Sequence, residues 1–359
     1  AGAGAQALTL DFTCSSEDTA EVVGLWSEVL RSPAMPQSKL DFYVAQVNNI
    51  LDHANDDAGV VARRELQKVM YGRDSIYARQ ATKAGIARIT LPDLNAFIAR
   101  WERPEGAVVG VVGDFQPDEM LALLDARLGD WVGQGGELPQ VVRDPDPLAP
   151  AARAAGKVFL VDRRGSTQAA VAVGEPGVQL MDADVYPLEV LGSVFNSFGG
   201  QLFDTLRSKE GLAYSVYGGW DTPPDHPGLF VGGGETSMPA EFLAGLRRVL
   251  GEAAASAPSA PRLDAAKGEL LNAFVFNFAA KSTQLQRTLV YELLGLPEDL
   301  LFQYKAGIEA VAAPDILAAA RAHLHPDQQV TVIVGDAAQI TRPLRKAGFE
   351  VIPLELPPP

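Results

Sequence analysis

The sequence repeats itself at one fixed spacing. The segment Val111-Val-Gly-Asp114 is matched by Ile333-Val-Gly-Asp336, which follows it by 222 residues. Both segments have the pattern of a strand end that comes after a helix. Several matches at one ungapped spacing indicate a duplication, which constrains the fold to two related halves. Further matches at this spacing are Pro92-Asp93-Leu94 with Pro314-Asp315-Ile316, Ala84-Gly85-Ile86 with Ala306-Gly307-Ile308, and Pro104 with Pro326.

The two halves differ in length. The second half carries two strands, a helix and a glycine-containing corner over Lys157 to Thr222, and the same spacing places their counterparts before residue 1. We therefore expect residues 1–132 to form a first repeat that lacks its opening strands and helix. Residues 157–359 are expected to form a complete second repeat. Between them, residues 133–156 are rich in Gly, Pro and Ala without periodicity, which predicts a linker.

Composition and charge argue against two classes of partner. The content of 47% hydrophobic and 21% charged residues is typical of a soluble globular protein. Lys and Arg number 30 against 45 Asp and Glu, and a net charge of −15 disfavours binding to a nucleic-acid backbone. No apolar run approaches the roughly 20 residues that a membrane span needs. The single cysteine, Cys14, excludes an internal disulfide.

Local patterns predict alternating helices and strands. Ala7 to Cys14 is rich in β-branched and aromatic residues and predicts a strand. Ala107 to Val112 predicts a buried strand that ends at Gly113. Thr90 is expected to cap a helix that has Pro92 in its first turn. The predicted helices cover residues 17–30, 39–53, 60–71, 90–101 and 184–197, and the further predicted strands cover 158–161, 169–173 and 212–217.

The stretch from Phe198 to Tyr217 carries the most specific motif of the chain. Gly199 and Gly200 open an amphipathic helical run, Gly211 ends it, and a strand follows. Arg207 and Tyr214 therefore bracket a corner between a helix and a strand.

This stretch resembles the Arg-x-x-x-Gly-Leu-Ala-Tyr signature of the pitrilysin/insulinase family of metallopeptidases. The resemblance implies an α+β fold of two homologous halves, each an antiparallel-rich mixed sheet with helices packed on one face, enclosing a chamber. In that family the Arg and Tyr of the signature reach a zinc site on the other half of the molecule or on a partner subunit. Arg207 and Tyr214 match those two positions.

The family's zinc motif, H-x-x-E-H, is not found in this sequence. The third zinc ligand of the family is a Glu in a Glu-Glu-Ile run, and alignment on Asp56-Asp57 puts Asn49-Ile50-Leu51 at that run. Asn is a poor zinc ligand and Ile is none. We therefore expect no metal or other cofactor in this chain and zinc on a partner chain or on a missing segment. The four histidines, expected at the surface or in caps without a carboxylate in metal-binding register, are His53, His226, His323 and His325.

Each candidate site residue has a structural and a functional interpretation. Arg207 either favours a helix C-terminus or binds the substrate backbone, and Tyr214 is either a half-buried strand residue or stabilises an oxyanion. Gly199 and Gly200 are either an ordinary helix entry or the family's flexible substrate-binding loop. Gln6 and Ala7 stand where the family strand Asn-Ala-x-Thr accepts an extended peptide, although they also fit a first core strand.

Three functions stay open on the sequence. The leading hypothesis is a non-catalytic subunit that pairs with a zinc-bearing pitrilysin-family partner and assists a composite peptide-cleaving site. The second is a truncated or processed fragment of an active zinc metallopeptidase. The third is a structural core subunit of a larger complex. The compartment is not determined, and bacterial cytoplasm, periplasm and an organelle interior all fit.

Overall fold

The computed structural model describes residues 1–4, 6–133, 140–197 and 199–356. Phe198 of the signature, residues 134–139 of the expected linker and the last three prolines lie outside the described residues. The chain divides into two compact units, each built from three segments. Unit 1 comprises residues 1–50, 82–143 and 277–298, and unit 2 comprises 51–81, 144–276 and 299–359.

The strands form one small and one large sheet. In the large sheet, which lies in unit 2, the strand order is β5-β6-β4-β7-β3-β8. Strand β3 runs parallel to β7 and β8, and the other pairs are antiparallel, so the sheet is mixed. The strands are β1 (Gly2–Ala3), β2 (Leu8–Thr9), β3 (Val158–Asp162), β4 (Ala169–Pro176), β5 (Ser215–Trp220), β6 (Leu229–Thr236), β7 (Val330–Gly335) and β8 (Val351–Pro353).

Helices account for most of the remaining regular structure. They are α1 (Thr19–Arg31), α2 (Gln37–Asp52), α3 (Ala58–Tyr71), α4 (Lys83–Ile86), α5 (Leu91–Trp101), α6 (Pro117–Leu128), α7 (Ala149–Ala154), α8 (Val185–Asn196), α9 (Pro239–Ala255), α10 (Ala260–Ala273), α11 (Lys281–Leu294), α12 (Leu300–Ala310), α13 (Ala313–His323) and α14 (Ala337–Lys346). The predicted cap of α5 is confirmed, since the Thr90 side chain and backbone exchange hydrogen bonds with Asp93.

The large sheet is buried on both faces because its central strands are apolar at nearly every position, with Glu175 and Thr331 as buried polar exceptions. Successive side chains of a strand point to opposite faces. In β4, Val171 and Val173 therefore join one hydrophobic cluster, whereas Ala170 and Ala172 join the other. Every residue of β7 is buried. Both faces of the sheet are therefore packed against helices.

Different helices supply the two covers. Helix α3 packs on β4 and β7 through Leu66 and Met70, which are fully buried. Helices α8 and α9 cover the other face with Phe195 and Phe242. The predicted α+β class is confirmed, although helices lie on both faces of this sheet and not on one. The reason is that α3, which precedes the sheet in the chain, belongs to the same unit.

Two predicted strands of the first half are corrected by the structure. The segment Ala107–Val112 forms no strand, and Val109 and Val112 are 43% and 42% exposed instead of buried. Of the segment Ala7–Cys14, only Leu8–Thr9 is a strand, and it pairs with Gly2–Ala3. Among the described residues, no strand pairs with residues 107–112 or with residues 10–14. A segment with a strand-like sequence forms no β-ladder when no second segment pairs with it.

The expected linker is also partly structured. Residues 149–154 form α7, and Ala151 and Ala154 are buried in the cluster that contains α3. The prediction that residues 133–156 link two repeats stays a prediction. The division into two sequence repeats at 132 and 157 stays a prediction. Within the described residues, no helix combines the length and hydropathy that a membrane span requires.

Candidate functional site

The signature forms a tight corner at the edge of the large sheet. Residues Phe203–Lys209 form a π-helix, and Gly211 follows with a φ of +63°. This left-handed conformation suits glycine because it has no Cβ. The backbone N–H of Glu210 donates to Thr205 O at 3.0 Å, and that of Leu212 donates to Leu206 O at 2.8 Å. These wide hydrogen-bonded turns end the helix and lead the chain into β5. A π-helical turn often marks a functional position.

The corner brings Arg207 and Tyr214 together. The Arg207 Cζ lies 5.2 Å from the centroid of the Tyr214 ring and 4.8 Å from that of the Phe203 ring. Arg207 is exposed and Tyr214 is 68% exposed. No carboxylate of the described residues forms an ion pair with the Arg207 guanidinium. The two side chains therefore present their polar groups to solvent from a stacked arrangement.

Buried neighbours hold this corner in place. Leu206 and Ala213, each next to one of the two site residues, lie in the main hydrophobic cluster. The backbone N–H of Tyr214 donates to Glu235 O at 3.0 Å. Because these neighbours are buried and hydrogen-bonded, the backbone that carries the exposed Arg207 and Tyr214 is held in place. Tyr217, further along β5, is in contrast largely buried, and burial raises the pKa of its phenol.

Two ion pairs of Arg248 provide a second anchor for this corner. The Arg248 guanidinium of α9 contacts Glu210 Oε1 at 2.5 Å and Glu252 Oε1 at 2.9 Å. Glu210 is the residue between the π-helix and Gly211. The network therefore ties the end of the π-helix to α9.

Asn196 is a positioning residue that sequence reasoning missed. Its Oδ1 accepts a hydrogen bond from the Gly218 N–H at 3.0 Å, and its Nδ2 donates to Gly218 O at 2.6 Å. This amide side chain thus pairs with β5 as a strand would. It fixes the end of α8 beside the strand that follows Tyr214. No local pattern indicates this contact, since the partners are 22 residues apart.

The glycine pair before the π-helix has a clear structural role. Gly199 has a φ of +78°. A Cβ on Gly200 would lie 2.4 Å from Phe195 O and 2.7 Å from Ser197 O, which are backbone atoms. Gly200 O also accepts a hydrogen bond from the Asp204 N–H at 2.9 Å. The pair is thus required for the chain to turn from α8 into the helix that carries Arg207.

Gln6 and Ala7 lie in unit 1, apart from the unit that carries Arg207 and Tyr214. They sit between β1 and β2, and Ala7 O accepts a hydrogen bond from the Gly4 N–H at 2.8 Å. Gln6 is exposed and Ala7 is half-buried. One edge of β2 is already paired with β1. Their predicted role in docking a peptide stays a prediction.

The described residues do not fit a zinc ion. Among them, no group of three or more His, Cys, Asp or Glu side chains is arranged to hold a metal. At the position of the family's third ligand, Asn49 and Ile50 lie in the last turn of α2, and Ile50 is 66% exposed. A zinc site needs four donors, of which at least three come from the protein. The set of residues present lacks that number in any one place.

Each of the four histidines contacts a carboxylate. The expectation that no carboxylate stands beside them in metal-binding register stays a prediction. Folding rather than sequence spacing forms two of these pairs, since the partners are 139 and 150 residues apart. Each histidine contacts a single carboxylate, which fits an ion pair or a hydrogen bond. The pairs are His53 with Asp56 at 2.6 Å, His226 with Asp225 at 2.8 Å, His323 with Asp184 at 2.8 Å, and His325 with Glu175 at 3.2 Å.

The side chains of Arg207 and Tyr214 can donate hydrogen bonds to a ligand. A guanidinium carries five N–H donors and a phenol one O–H donor. Donors of this kind suit a peptide carbonyl, a carboxylate or a developing oxyanion. Arg207 and Tyr214 thus offer a guanidinium and a phenol side by side as exposed hydrogen-bond donors.

A family model and several curated proteins match this chain. The model of the peptidase M16 inactive domain matches residues 88–270. The chain is 27% identical over 297 residues to a protein of Helicobacter pylori named non-peptidase homolog YmxG, which covers 81% of this chain. This chain spans 66% of the length of that relative and 35–54% of the lengths of three further curated relatives.

Solved structures share the fold. A peptidase M16 inactive domain from Pseudomonas fluorescens superposes with a TM-score of 0.76 at 23% identity, covering 95% of this chain and 78% of that one. A chain of complex III2 from Candida albicans superposes with a TM-score of 0.68 at 13% identity, covering 93% of this chain and 79% of that one. At sequence identities of 23% and 13%, these superpositions show a shared fold and no more.

Proposed function

Because the chain belongs to the family of peptidase M16 inactive domains, we propose that it is a non-catalytic subunit of a peptide-cleaving assembly. In this proposal it pairs with a zinc-bearing member of the same family and contributes Arg207 and Tyr214 to a composite site. The zinc chemistry belongs to the partner. This chain contributes donors that hold and polarise the peptide carbonyl.

One observation carries the proposal. Arg207 and Tyr214 are stacked side by side, exposed, and within the described residues no carboxylate neutralises the guanidinium. An arginine with a purely structural role usually has its charge paired or its donors used inside the protein. An exposed cation that is fixed by two rings is instead preorganised for a ligand that comes from outside.

The proposed substrate surface includes the flanking glycines. Gly199 and Gly200 stand at the entry of the helical run that carries Arg207 and have no side chains, which would allow a peptide to approach the backbone there. Gln6 and Ala7 are proposed as a second contact in which a peptide pairs with main chain. These four residues are proposed as substrate-binding, and Arg207 and Tyr214 as the residues that assist cleavage.

The decisive experiment reconstitutes the chain with its zinc-bearing partner and measures cleavage of a fluorogenic peptide library. We expect Arg207→Ala and Tyr214→Phe each to lower kcat/KM by about 100-fold, the scale for loss of one oxyanion donor. Lys209→Ala is the matched control for a cation in the same helix. Tyr43→Phe is the control for an exposed phenol, since Tyr43 is 63% exposed in α2. Both controls are expected to keep full activity.

Other outcomes separate the alternatives. Stable assembly with unchanged cleavage in Arg207→Ala and Tyr214→Phe would leave a structural core subunit as the function, which the likeness to a chain of complex III2 and the name of the Helicobacter relative favour. Stoichiometric zinc and peptide cleavage by the isolated chain would contradict both readings.

A further inference from the structure

A pocket of about 190 Å³ opens between three helices of unit 2. Its walls come from the second half of α8, the last turn of α9, the loop that joins α9 to α10, and the first turn of α10. Gln201 also lines it, at the entry to the π-helix that carries Arg207. The pocket therefore lies next to the helical run of the corner, but neither Arg207 nor Tyr214 lines it.

The buried residues that line the pocket are apolar. Leu191, Val194 and Ala253 belong to the main hydrophobic cluster and are at most 7% exposed. An apolar cavity of about 150 Å³ holds a molecule of the size of benzene. The inner part of this pocket can therefore accept an apolar group of about five or six carbon atoms.

The rim of the pocket carries hydrogen-bonding and charged side chains. Its polar lining residues are Gln201, Glu252, Ser256, Ser259 and Arg262. The charge of Glu252 is already paired, since Glu252 Oε1 lies 2.9 Å from the Arg248 guanidinium. Arg262 is therefore the charged group of the rim that has binding capacity left.

The ion pair that Arg262 does form is a long one. Its Nη2 lies 3.8 Å from Asp204 Oδ2, whereas a charge-assisted hydrogen bond between such groups spans about 2.7–2.9 Å. Within the described residues, none of the five N–H donors of Arg262 meets a hydrogen-bond acceptor. A carboxylate that enters the pocket can therefore approach the guanidinium more closely than Asp204 does.

We propose that this pocket binds a small carboxylate with an apolar tail. The carboxylate accepts hydrogen bonds from the Arg262 guanidinium, and the tail lies against Leu191, Val194 and Ala253. A ligand with a cationic head is disfavoured because it would meet the like charge of Arg262. An anion without a tail would leave the apolar lining in contact with water, so it lacks the stabilisation that burial of apolar surface supplies.

This inference goes beyond the proposed function and does not rest on it. The pocket is built without Arg207 and Tyr214, and its test measures binding of a small molecule to the chain, not peptide cleavage by an assembly. A negative result for one of the two proposals therefore leaves the other as it stands.

The test titrates the 359-residue chain with sodium hexanoate at neutral pH and follows leucine and valine methyl groups by NMR. Hexanoate is expected to shift the methyl signals of Leu191 and Val194 saturably, because its tail lies against them. Acetate has the head without the tail, hexylamine has the tail with the opposite charge, and hexan-1-ol has the tail without a charge. Each of these three is expected to bind about tenfold or more weakly than hexanoate.

Variants of the chain complete the test. Arg262→Gln is expected to weaken binding of hexanoate by about tenfold or more, the scale of a lost hydrogen bond to a charged group, and to leave binding of hexan-1-ol unchanged. Asp204→Asn is expected to strengthen binding of hexanoate, because it removes the carboxylate that competes for Arg262. Arg345→Gln, at an exposed position of α14 outside the pocket, is the matched control and is expected to bind as the unchanged chain does. Circular dichroism checks that all three variants fold.

Absence of a saturable shift at Leu191 and Val194 would overturn the inference. Binding of acetate, hexylamine or hexan-1-ol as tight as that of hexanoate would also overturn it, because the pocket would then not select a carboxylate with a tail. Unchanged binding of hexanoate in Arg262→Gln would overturn it as well, since the carboxylate would then bind elsewhere.

Discussion

At the scale of single residues, the corner depends on how an exposed cation is kept in one place. A free arginine side chain loses substantial rotamer entropy when it binds a ligand. Arg207 lies against the rings of Phe203 and Tyr214, at 4.8 and 5.2 Å from their centroids. Each such contact is worth about 0.5–1 kcal/mol at an exposed site. Part of the ordering cost is therefore met before a ligand arrives.

The glycine before the π-helix gives a prediction at this scale. Gly200→Ala places a Cβ 2.4 Å from Phe195 O, a backbone atom that cannot move freely. We expect the free energy of unfolding to fall by about 1–3 kcal/mol, the range for overpacking. Urea denaturation followed by circular dichroism measures this change.

Gly268→Ala is the matched control. Gly268 lies inside α10, and no heavy atom lies within 4 Å of a Cβ built there. The added methyl group should stabilise the helix by about 0.5–1 kcal/mol. Equal effects of the two substitutions would show that the close approach at Gly200 has no energetic consequence.

At the scale of elements, α3 determines how the large sheet is covered. It precedes β3 by more than eighty residues, yet it packs on β4 and β7. Leu66 is fully buried, and its methyl carbons lie 3.1 and 3.3 Å from the position of a Cβ on Gly174 of β4. The absence of a side chain at Gly174 makes room for Leu66. The close fit of this helix on the sheet rests on that pair.

Leu66→Ala tests the contribution of α3. We expect the free energy of unfolding of unit 2 to fall by about 2–5 kcal/mol, because the substitution leaves a cavity that the rigid sheet cannot fill. Hydrogen exchange of β4 and β7 reports on the unit directly. Leu121→Ala on α6, where Leu121 is 65% exposed, should change stability by less than about 0.5 kcal/mol. A cost at Leu66 no larger than that at Leu121 would contradict the assigned cover.

At the scale of the whole molecule, the described residues contain no group of three or more His, Cys, Asp or Glu side chains that could hold a metal ion. The three apolar clusters of the described residues all lie in unit 2. A metal that binds the folded chain raises its melting temperature through linkage, and its removal lowers it.

Metal removal therefore gives a prediction for the isolated chain. We expect EDTA to leave the melting temperature unchanged and added zinc to leave it unchanged as well, as measured by differential scanning calorimetry. The reconstituted assembly provides the comparison, since its cleavage activity is expected to be lost in EDTA and restored by zinc. A melting temperature of the isolated chain that falls in EDTA and recovers with zinc would reveal a metal site in it.

The sequence by itself determined the local chemistry of this protein. The signature from Arg207 to Tyr214, the capped start of α5, the strands at 158 and 169, and the non-ligating Asn49 and Ile50 all follow from side chains close together in the chain. Such features depend on local hydrogen bonds and on the spacing of apolar residues.

Only the tertiary structure decided which distant groups meet. It paired Asn196 with Gly218, placed a carboxylate beside His323 and His325, and put α3 on the sheet that follows it. Among the described residues it also left Ala107–Val112 outside any strand, although the segment is apolar like most of β7. A strand exists only through hydrogen bonds to another segment, and that partner is a property of the topology and not of the strand's own residues.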